Sequence, residues 1–383
     1  MSLESIALIP SGYKANKLYC QLPVDGGADL TTSRASAATR VNKNGLIEDV
    51  ATGVPRLDYT NGGCPELLLE PQRRNLFPYS EDFSVADWAK ANATITNNYA
   101  LSPDGTMNAS RLQFTGASQS FLYDFATYSA STDYTISFYL KSNGGGQDVV
   151  RLYAEGNSAN LTATNEWVRH TFTFTGLGAS KDSGLTSVAS EGHLADVLIW
   201  GLQVESDGGS GGSEYATSYI RTSGSQVTRI ADAVTGATGL GSVINSSEGV
   251  LYFEGSALAN DGNFRIIRIG DGSNNNALLL YYYSASNRIG YELYVGGFSQ
   301  STGNASISSV TDTIKVAVKY KENDFALWVN GVEEVTDSSG SVASSGTFDS
   351  LDFNATPFYG RIRELKVYDT ALTDAELTSL TTI

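Results

Sequence analysis

Cysteine, histidine and methionine each occur only twice in this 383-residue chain. Cys20 and Cys64, with no CxxC spacing, exclude a disulfide scaffold. With His170 and His193 lying in a different region, they also exclude a structural zinc site. A Cys20 to Cys64 bridge is geometrically conceivable, but two free thiols are expected of a chain assembled in a reducing cytoplasm. Basic residues number 25 against 41 acidic ones, a formal net charge of -16, so a phosphate backbone is repelled and nucleic acid is not an expected partner. No run approaches the roughly 18 apolar residues of a membrane span, and no membrane insertion is expected. Met1 to Pro10 lacks the basic start and apolar stretch of a secretory signal, so synthesis in a cytoplasm as a soluble product is expected.

What is abundant points to sheets. The chain has 39 Gly, 21 Tyr and 15 Phe with 17% charged residues, a composition that suits polar-surfaced β-structure better than helical bundles. Its length exceeds what one core usually organises and favours two or three domains.

Residues 1–74 are rich in turn formers, such as Asp25-Gly26-Gly27 and Asn61-Gly62-Gly63, and read as an extended arm. Its strand candidates, Gly45-Leu46-Ile47 and Glu66-Leu67-Leu68-Leu69, have no evident partners within it and are expected to complete themselves against another chain or another domain. Residues 75–232 show short alternating segments. In Tyr134 to Lys141 the apolar set is Tyr134, Ile136, Phe138 and Leu140; in Val149 to Ala154 it is Val150, Leu152 and Ala154; in Trp167 to Phe174 it is Val168, Phe172 and Phe174. Leu198, Trp200, Leu202 and Val204 read as one further buried face. Such strands separated by Gly, Asn and Ser turns predict a β-sandwich. SDGGSGGS at Ser206 to Ser213 reads as a loop insertion, and residues 233–248 as the linker. Residues 249–383 repeat the all-β pattern, with Asn330-Gly331 as a hairpin turn. Thr373 and Glu376 form a capping box for one short helix with Leu377 and Leu380 on its buried side.

Several segments carry a family resemblance: ALIPSGYKANKL from Ala7, SRASAATRVNKNGLI from Ser33, PRLDY from Pro55, CPELLLEPQRRNL from Cys64, FPYSEDF from Phe77 with Trp88, WGLQVE from Trp200, and ATSYIRTSGSQVTRIAD from Ala216. Together they resemble the phage head spike or head fibre domain proteins. The run from Gly360 to Tyr368, followed by Ala371-Leu372-Thr373 and Glu376, resembles the closing strand and helix of the laminin G or concanavalin A-like lectin superfamily. The resemblances imply a non-enzymatic virion structural protein at the particle surface, made in the host cytoplasm. They imply an all-β fold, in which an N-terminal arm precedes a carbohydrate-binding-module-like and then a concanavalin A-like jelly-roll sandwich.

Sugar sites in sandwiches use exposed rings, because the apolar face of a pyranose stacks on a π surface. Tyr139, Arg151, Tyr153, Trp167 and Arg169 fall opposite the inferred core and are expected to share one shallow face; the alternative is that the arm or a neighbouring subunit covers them. Trp88 and Trp200 read as core. In the last domain Tyr281, Tyr283, Tyr294 and Trp328 are the further sugar-binding candidates. Asp271, Asn274 and Asn276 offer oxygens to calcium in a tight loop, but without the ordered carboxylate spacing of an EF-hand, so a solvated turn and no cofactor are expected.

A retaining glycanase needs two carboxylates about 5 Å apart, and no strand carries that pattern: Glu292 stands alone and Glu333-Glu334 follow a hairpin turn. Neither histidine sits in a nucleophile motif. The expected function is weak, multivalent attachment to host-surface glycans by a head or tail fibre or spike. A purely structural capsid or tail decoration or cement protein is the alternative, and a polysaccharide depolymerase ranks below both. The unpartnered arm strands predict docking of residues 1–74 onto other virion proteins or a sister subunit, within a closed homo-oligomer, a trimer by preference. Deleting Met1 to about Gln72 is accordingly expected to leave two folded sandwiches.

Overall fold

A computed structural model describes residues 4–116, 120–144, 148–178, 180–188, 194–209, 211–283, 286–353 and 357–383; His193 lies outside them. Among the described residues the secondary structure is all-β apart from one helix. It divides into two compact units, each discontinuous in sequence: unit 1 is Met1–Ala35, Val50–Glu70 and Ala231–Ile383, and unit 2 is Ser36–Asp49 and Pro71–Ile230. The chain therefore leaves one unit for the other four times, after Ala35, Asp49, Glu70 and Ile230.

In unit 1 one sheet runs Val332–Asp337, Phe325–Val329, Ile314–Lys321, Glu248–Ala257, Gly360–Tyr368, Glu66–Leu69, Leu57–Asp58, with Glu4–Leu8 also paired to Gly360–Tyr368. The second sheet runs Ala237–Thr238, Ser350–Asp352, Arg265–Gly270, Ala277–Tyr282, Arg288–Val295, Phe298–Ser306. Alternation in Glu248–Ala257 divides two cores, as side chains in a strand point to opposite faces in turn. Leu251 and Phe253 join the main core with Leu280, Tyr291 and Leu365. Val250 and Tyr252 pack on the other face with Trp328, Leu372 and Leu377. Leu377 belongs to the helix Asp374–Thr381, whose start is closed by the expected capping box of Thr373 and Glu376. Asn330 and Gly331 both take positive φ, 51° and 85°, between strands paired Val329 to Val332.

Residues 1–74 are not a separate arm. Ile6 pairs with Val367, Leu8 with Leu365, and Leu67 with Ile362, all in the main sheet of unit 1. Leu30–Ser33 pairs with Ala233–Thr235. Residues 233–248 are no linker either, since they contribute these strands together with the buried Leu240 and Ile244. Leu46-Ile47 belongs to unit 2, at a hairpin of Ala38–Val41 and Ile47–Val50. Ile47–Val50 pairs with Ala38–Val41 inside the supposed arm, and Glu66–Leu69 with Leu57–Asp58 on one side and with Gly360–Tyr368 on the other; the strands are completed within the chain, which leaves the expected docking onto another chain without its motive. Cys20 and Cys64 are both free thiols.

Where the segments of unit 1 meet, four charged side chains are buried. Asp232 accepts from Arg34 Nη1 at 3.0 Å, from the backbone N–H of Glu70 at 2.9 Å and from Arg56 Nη2. Arg56 Nη1 donates to Glu70 at 2.5 Å, and Arg34 Nη2 to the carbonyl of Ala51 at 2.7 Å.

Unit 2 is a two-sheet sandwich. One sheet runs Ala89–Ala91, Phe121–Thr127, Ser180–Ser187, Val149–Ala154, Asn157–Thr162, and the other Ala93–Ala100, Ala109–Phe114, Asp196–Ser206, Asp133–Ser142, Val168–Thr175. The read faces of Asp133–Ser142 and Val149–Ala154 line the core, while Val168 is exposed because its strand forms the sheet edge. The face read from Leu198 to Val204 is wrong in phase. Gly201, at φ 66°, accompanies a register shift in which Ser137 opposes Gln203 and Tyr139 opposes Trp200. The extra residue of such a bulge reverses the alternation. Val197 and Ile199 therefore share the core with Leu202 and Val204, while Trp200 turns to the opposite face with Ile47, Ala109 and Tyr219.

Three outcomes follow. Deletion of residues 1–72 removes the fully buried Ile6, Leu8 and Leu67 and the nearly buried Leu69. At about 1.5–3 kcal/mol each, their loss rivals the roughly 5–15 kcal/mol of a whole domain. Circular dichroism and limited proteolysis of the truncated chain will show an unfolded unit 1, contrary to the expectation of two intact sandwiches. Asp232→Ala leaves the two buried guanidinium groups of Arg34 and Arg56 with the single carboxylate of Glu70, an uncompensated buried charge that will cost about 3–5 kcal/mol in urea denaturation.

The third outcome concerns Asp124, which points into unit 2 with its Oδ2 unbonded among the described residues. Burial, opposed by one hydrogen bond from Phe125 N–H, pushes its carboxyl up to about 6. A raised carboxyl stabilises the fold below the unfolded value near 4, and that contribution is lost as pH rises through about 6. Asp124→Asn will therefore match the parent near pH 4 and exceed it by on the order of 1–2 kcal/mol at about pH 7.5, measured by denaturant unfolding at both.

Candidate functional site

The five expected ring and guanidinium residues of the middle region do not share a face. Tyr139, Trp167 and Arg169 lie on the outer side of the sheet that contains Trp200, where the chain itself covers them. The Tyr139 ring meets Trp200 edge-on at 5.6 Å, and the Arg169 guanidinium stacks over Tyr139 at 5.7 Å. Arg169 donates to Ser137 Oγ at 2.9 Å and to the Thr217 carbonyl at 2.7 Å; Trp167 Nε1 donates to the Leu101 carbonyl at 3.1 Å. All three are structural, packed around the cluster of Ile47, Ala109, Trp200 and Tyr219. Trp88 and Trp200 are buried, as read.

Arg151 and Tyr153 stand on the outer face of the other sheet, and there they have company that pattern reading missed. Cross-strand register places Tyr123, Gly184 and Tyr153 in one row, and Phe121, Thr186 and Arg151 in the next. Phe121 stacks on Tyr123 at 4.8 Å with the rings 6° from parallel, and Tyr123 lies 5.6 Å from Tyr153 across Gly184. A Cβ at Gly184 would meet the Leu122 carbonyl oxygen at 2.2 Å, so no side chain fits between the two tyrosines. Phe125, 58% exposed, extends the row opposite Asp182. Arg151 is held by one bond from Nε to Asn160 Oδ1 at 3.0 Å, and its terminal nitrogens have no partner among the described residues. Burial raises the Tyr123 hydroxyl above its ordinary value, against a hydrogen bond from Thr186 that lowers it, so it is a neutral donor at neutral pH. The result is a half-exposed ring platform beside a guanidinium with free donors.

The signal was there but inverted. Phe121–Thr127 places Phe121, Tyr123 and Phe125 outward and Leu122, Asp124 and Ala126 inward, so a rule that sends aromatic rings to the core and charge to solvent assigns both faces wrongly.

In unit 1, Tyr281 and Tyr283 share the outer face of their sheet with the unforeseen Phe264, the ring centroids lying 5.1–6.1 Å apart. The Arg288 guanidinium stacks over Tyr283 at 4.7 Å. Tyr294 sits apart, its hydroxyl raised chiefly by a hydrogen bond to Glu292. Trp328 is no surface residue: it is 5% exposed beneath the helix, because its side of Phe325–Val329 carries the second core.

The oxygens of the Asp271 loop are engaged by protein donors. Asp271 accepts from the Ser273 backbone N–H at 2.8 Å and from Asn276 Nδ2 at 2.9 Å; Asn274 Oδ1 accepts from Arg268 and Asn276 Oδ1 from Gly296 N–H, each at 2.8 Å. No group of three or more His, Cys, Asp or Glu placed to hold a metal occurs among the described residues. Glu292 faces Leu279 and Thr302 across its neighbouring strands, and Glu333 and Glu334 are exposed on a hairpin.

Residues 252–378 match the family model of the concanavalin A-like lectin/glucanases superfamily. No curated protein matches the chain. Among solved structures, a Ruminococcus gnavus sialidase carbohydrate-binding module bound to α2,3-sialyllactose is 21% identical, with 37% of this chain and 86% of that one covered and a TM-score of 0.32. Domain 4 of a Geobacillus stearothermophilus arabinanase in complex with arabinotriose is 16% identical, with 45% and 84% covered and a TM-score of 0.31. Domains LG4-5 of the mouse laminin α1 chain are 8% identical, with 78% and 95% covered and a TM-score of 0.25. The family match thus falls on the sandwich of unit 1, and the aromatic row of unit 2 lies outside it.

Proposed function

We propose that this chain is a non-catalytic glycan-binding protein of the virion surface, which attaches weakly and in many copies to host polysaccharide. The observation that carries the binding reading is the platform of Phe121, Tyr123 and Tyr153, with Gly184 leaving the gap between its rings open. A pyranose laid across that gap buries its apolar face on the rings while Arg151 donates to its hydroxyls. Such a shallow site gives modest affinity for one copy, which multivalent display on one particle raises. The virion setting is supported by the ordered set of segments, from Ala7 to Asp232, that resembles head spike and head fibre proteins. Binding without hydrolysis is supported by Glu292, whose cross-strand neighbours Leu279 and Thr302 bring no second carboxylate, and by the exposed hairpin position of Glu333 and Glu334.

Tyr153→Ala removes half of the open pair and one stacking surface. On a glycan array and in adsorption assays with polysaccharide-coated cells it will lower binding roughly tenfold or more, at about 0.5–1.5 kcal/mol per lost ring contact beyond the area effect. Its melting temperature will change little, because Tyr153 lies outside the buried cluster. Absence of any glycan binding by the unaltered chain would refute the reading and favour a decoration protein whose rings anchor subunit contacts.

A further inference from the structure

The sheet face that carries the aromatic platform has a direction. Cross-strand register sets Arg151 beside Asn160 in the row of Phe121, Tyr153 in the next row with Tyr123, and Asp182 opposite Phe125 in a third. Rows on one face are two residues apart, about 7 Å along the strands. Arg151 and Asp182 therefore stand at opposite ends of the platform, roughly 13 Å apart in that direction.

The Arg151 end offers donors without acceptors. Arg151 Nε donates to Asn160 Oδ1 at 3.0 Å, which uses the acceptor of that amide. Asn160 Nδ2 and both terminal nitrogens of Arg151 are left without a partner among the described residues. Other half-exposed guanidinium groups of the chain are engaged: Arg111 pairs with Asp196 and stacks on Tyr99, and Arg288 stacks on Tyr283 and donates to Asn304. Arg151 pairs with no acid and covers no ring among the described residues, so the platform beside it stays open. Amide and guanidinium N–H groups only donate, whereas a hydroxyl brings a proton that needs an acceptor of its own. An ionised carboxylate only accepts, and its two oxygens match the fork of a guanidinium. A row of donors with no free acceptor thus selects a carboxylate over a hydroxyl.

We propose, resting on the platform as a glycan site, that the sugar it takes is acidic: a pyranose bearing a carboxylate, its apolar face on Tyr123 and Tyr153 and its carboxylate toward Arg151 and Asn160. Asp182 at the far end repels that carboxylate and fixes the direction in which the sugar lies. The net charge of -16 on the chain does not oppose this, because charges beyond about 8 Å are screened at physiological ionic strength.

The test titrates the full chain with matched sugars, D-galacturonate against D-galactose and D-glucuronate against D-glucose, by saturation-transfer NMR and calorimetry. The methyl ester of galacturonate, which keeps the ring and loses the charge, is the third arm. Each uronate binds roughly three- to fivefold more tightly than its neutral partner at low salt, and the ester binds like galactose. The advantage shrinks as sodium chloride is added. Arg151→Gln keeps an amide donor and removes the charge, which brings the uronate-to-neutral affinity ratio to about one. Tyr153→Ala weakens both sugars together and leaves the ratio as it was. Both positions lie outside the buried cluster, so both variants fold. Binding of neutral sugars with no preference for uronates, or a preference that survives Arg151→Gln, overturns the acidic-sugar assignment and leaves the platform as a neutral-glycan site. Binding of neither class overturns both.

Discussion

Asp232 accepts from Arg34, from Arg56 and from the backbone N–H of Glu70, and Glu70 accepts from Arg56, all in the interior of unit 1. Burying four charges is tolerated only where each finds partners, since desolvation otherwise exceeds the attraction gained. Arg34, Glu70 and Asp232 stand beside the crossings after Ala35, Glu70 and Ile230, and Arg56 comes from within Val50–Glu70. The chain can leave unit 1 and return to it repeatedly because the returning segments are fastened by interactions that no apolar contact could specify as narrowly. In the same unit the hydrophobic pairs Ile6 with Val367 and Leu67 with Ile362 join early and late segments of the chain in one sheet.

Unit 2 meets a different constraint. Its strand Asp196–Ser206 is buried along nearly its whole length, and it serves a core on each face. The bulge at Gly201 makes this workable: it turns Trp200 away from the sandwich core to receive Ile47 and Tyr219, and restores Leu202 and Val204 to the core. Tyr219 in turn donates its hydroxyl to Glu81 at 2.8 Å. The aromatic platform has no such second core over it and stands on the plain outward face of the other sheet.

Strand type and alternation were legible wherever one face is buried and the register is unbroken, as in Tyr134 to Leu140 and Val150 to Ala154. The helix and its capping box were legible because their signals are local. Three things were not. Long-range pairing cannot be seen in a segment such as Glu66–Leu69, whose partner lies near residue 362. A one-residue bulge reverses the alternation across it, so Trp200 faces away from Leu202 and Val204 and packs with Ile47 and Tyr219, against which Tyr139 and Trp167 also lie; of the two alternatives for those rings, cover by the chain is the one found. The platform was hidden by an inverted pattern, with Asp124 inside and Phe121, Tyr123 and Phe125 outside. Of the expected sugar residues, Arg151 and Tyr153 stand on the platform, while Tyr281 and Tyr283 form a smaller cluster elsewhere.

Glu4–Leu8 and Gly360–Tyr368 are neighbours in one sheet, although they stand near opposite ends of the sequence. A ribosome releases the first of these strands long before it makes the second. Until then, Ile6 and Leu8 have no sheet to join, and the edge they later occupy does not exist. Unit 2, whose two segments end at Ile230, is complete in sequence while unit 1 still lacks its closing strand. Birth order and chain order therefore differ: the unit begun first finishes last, and during that interval its leading strand is an apolar tether in search of an edge.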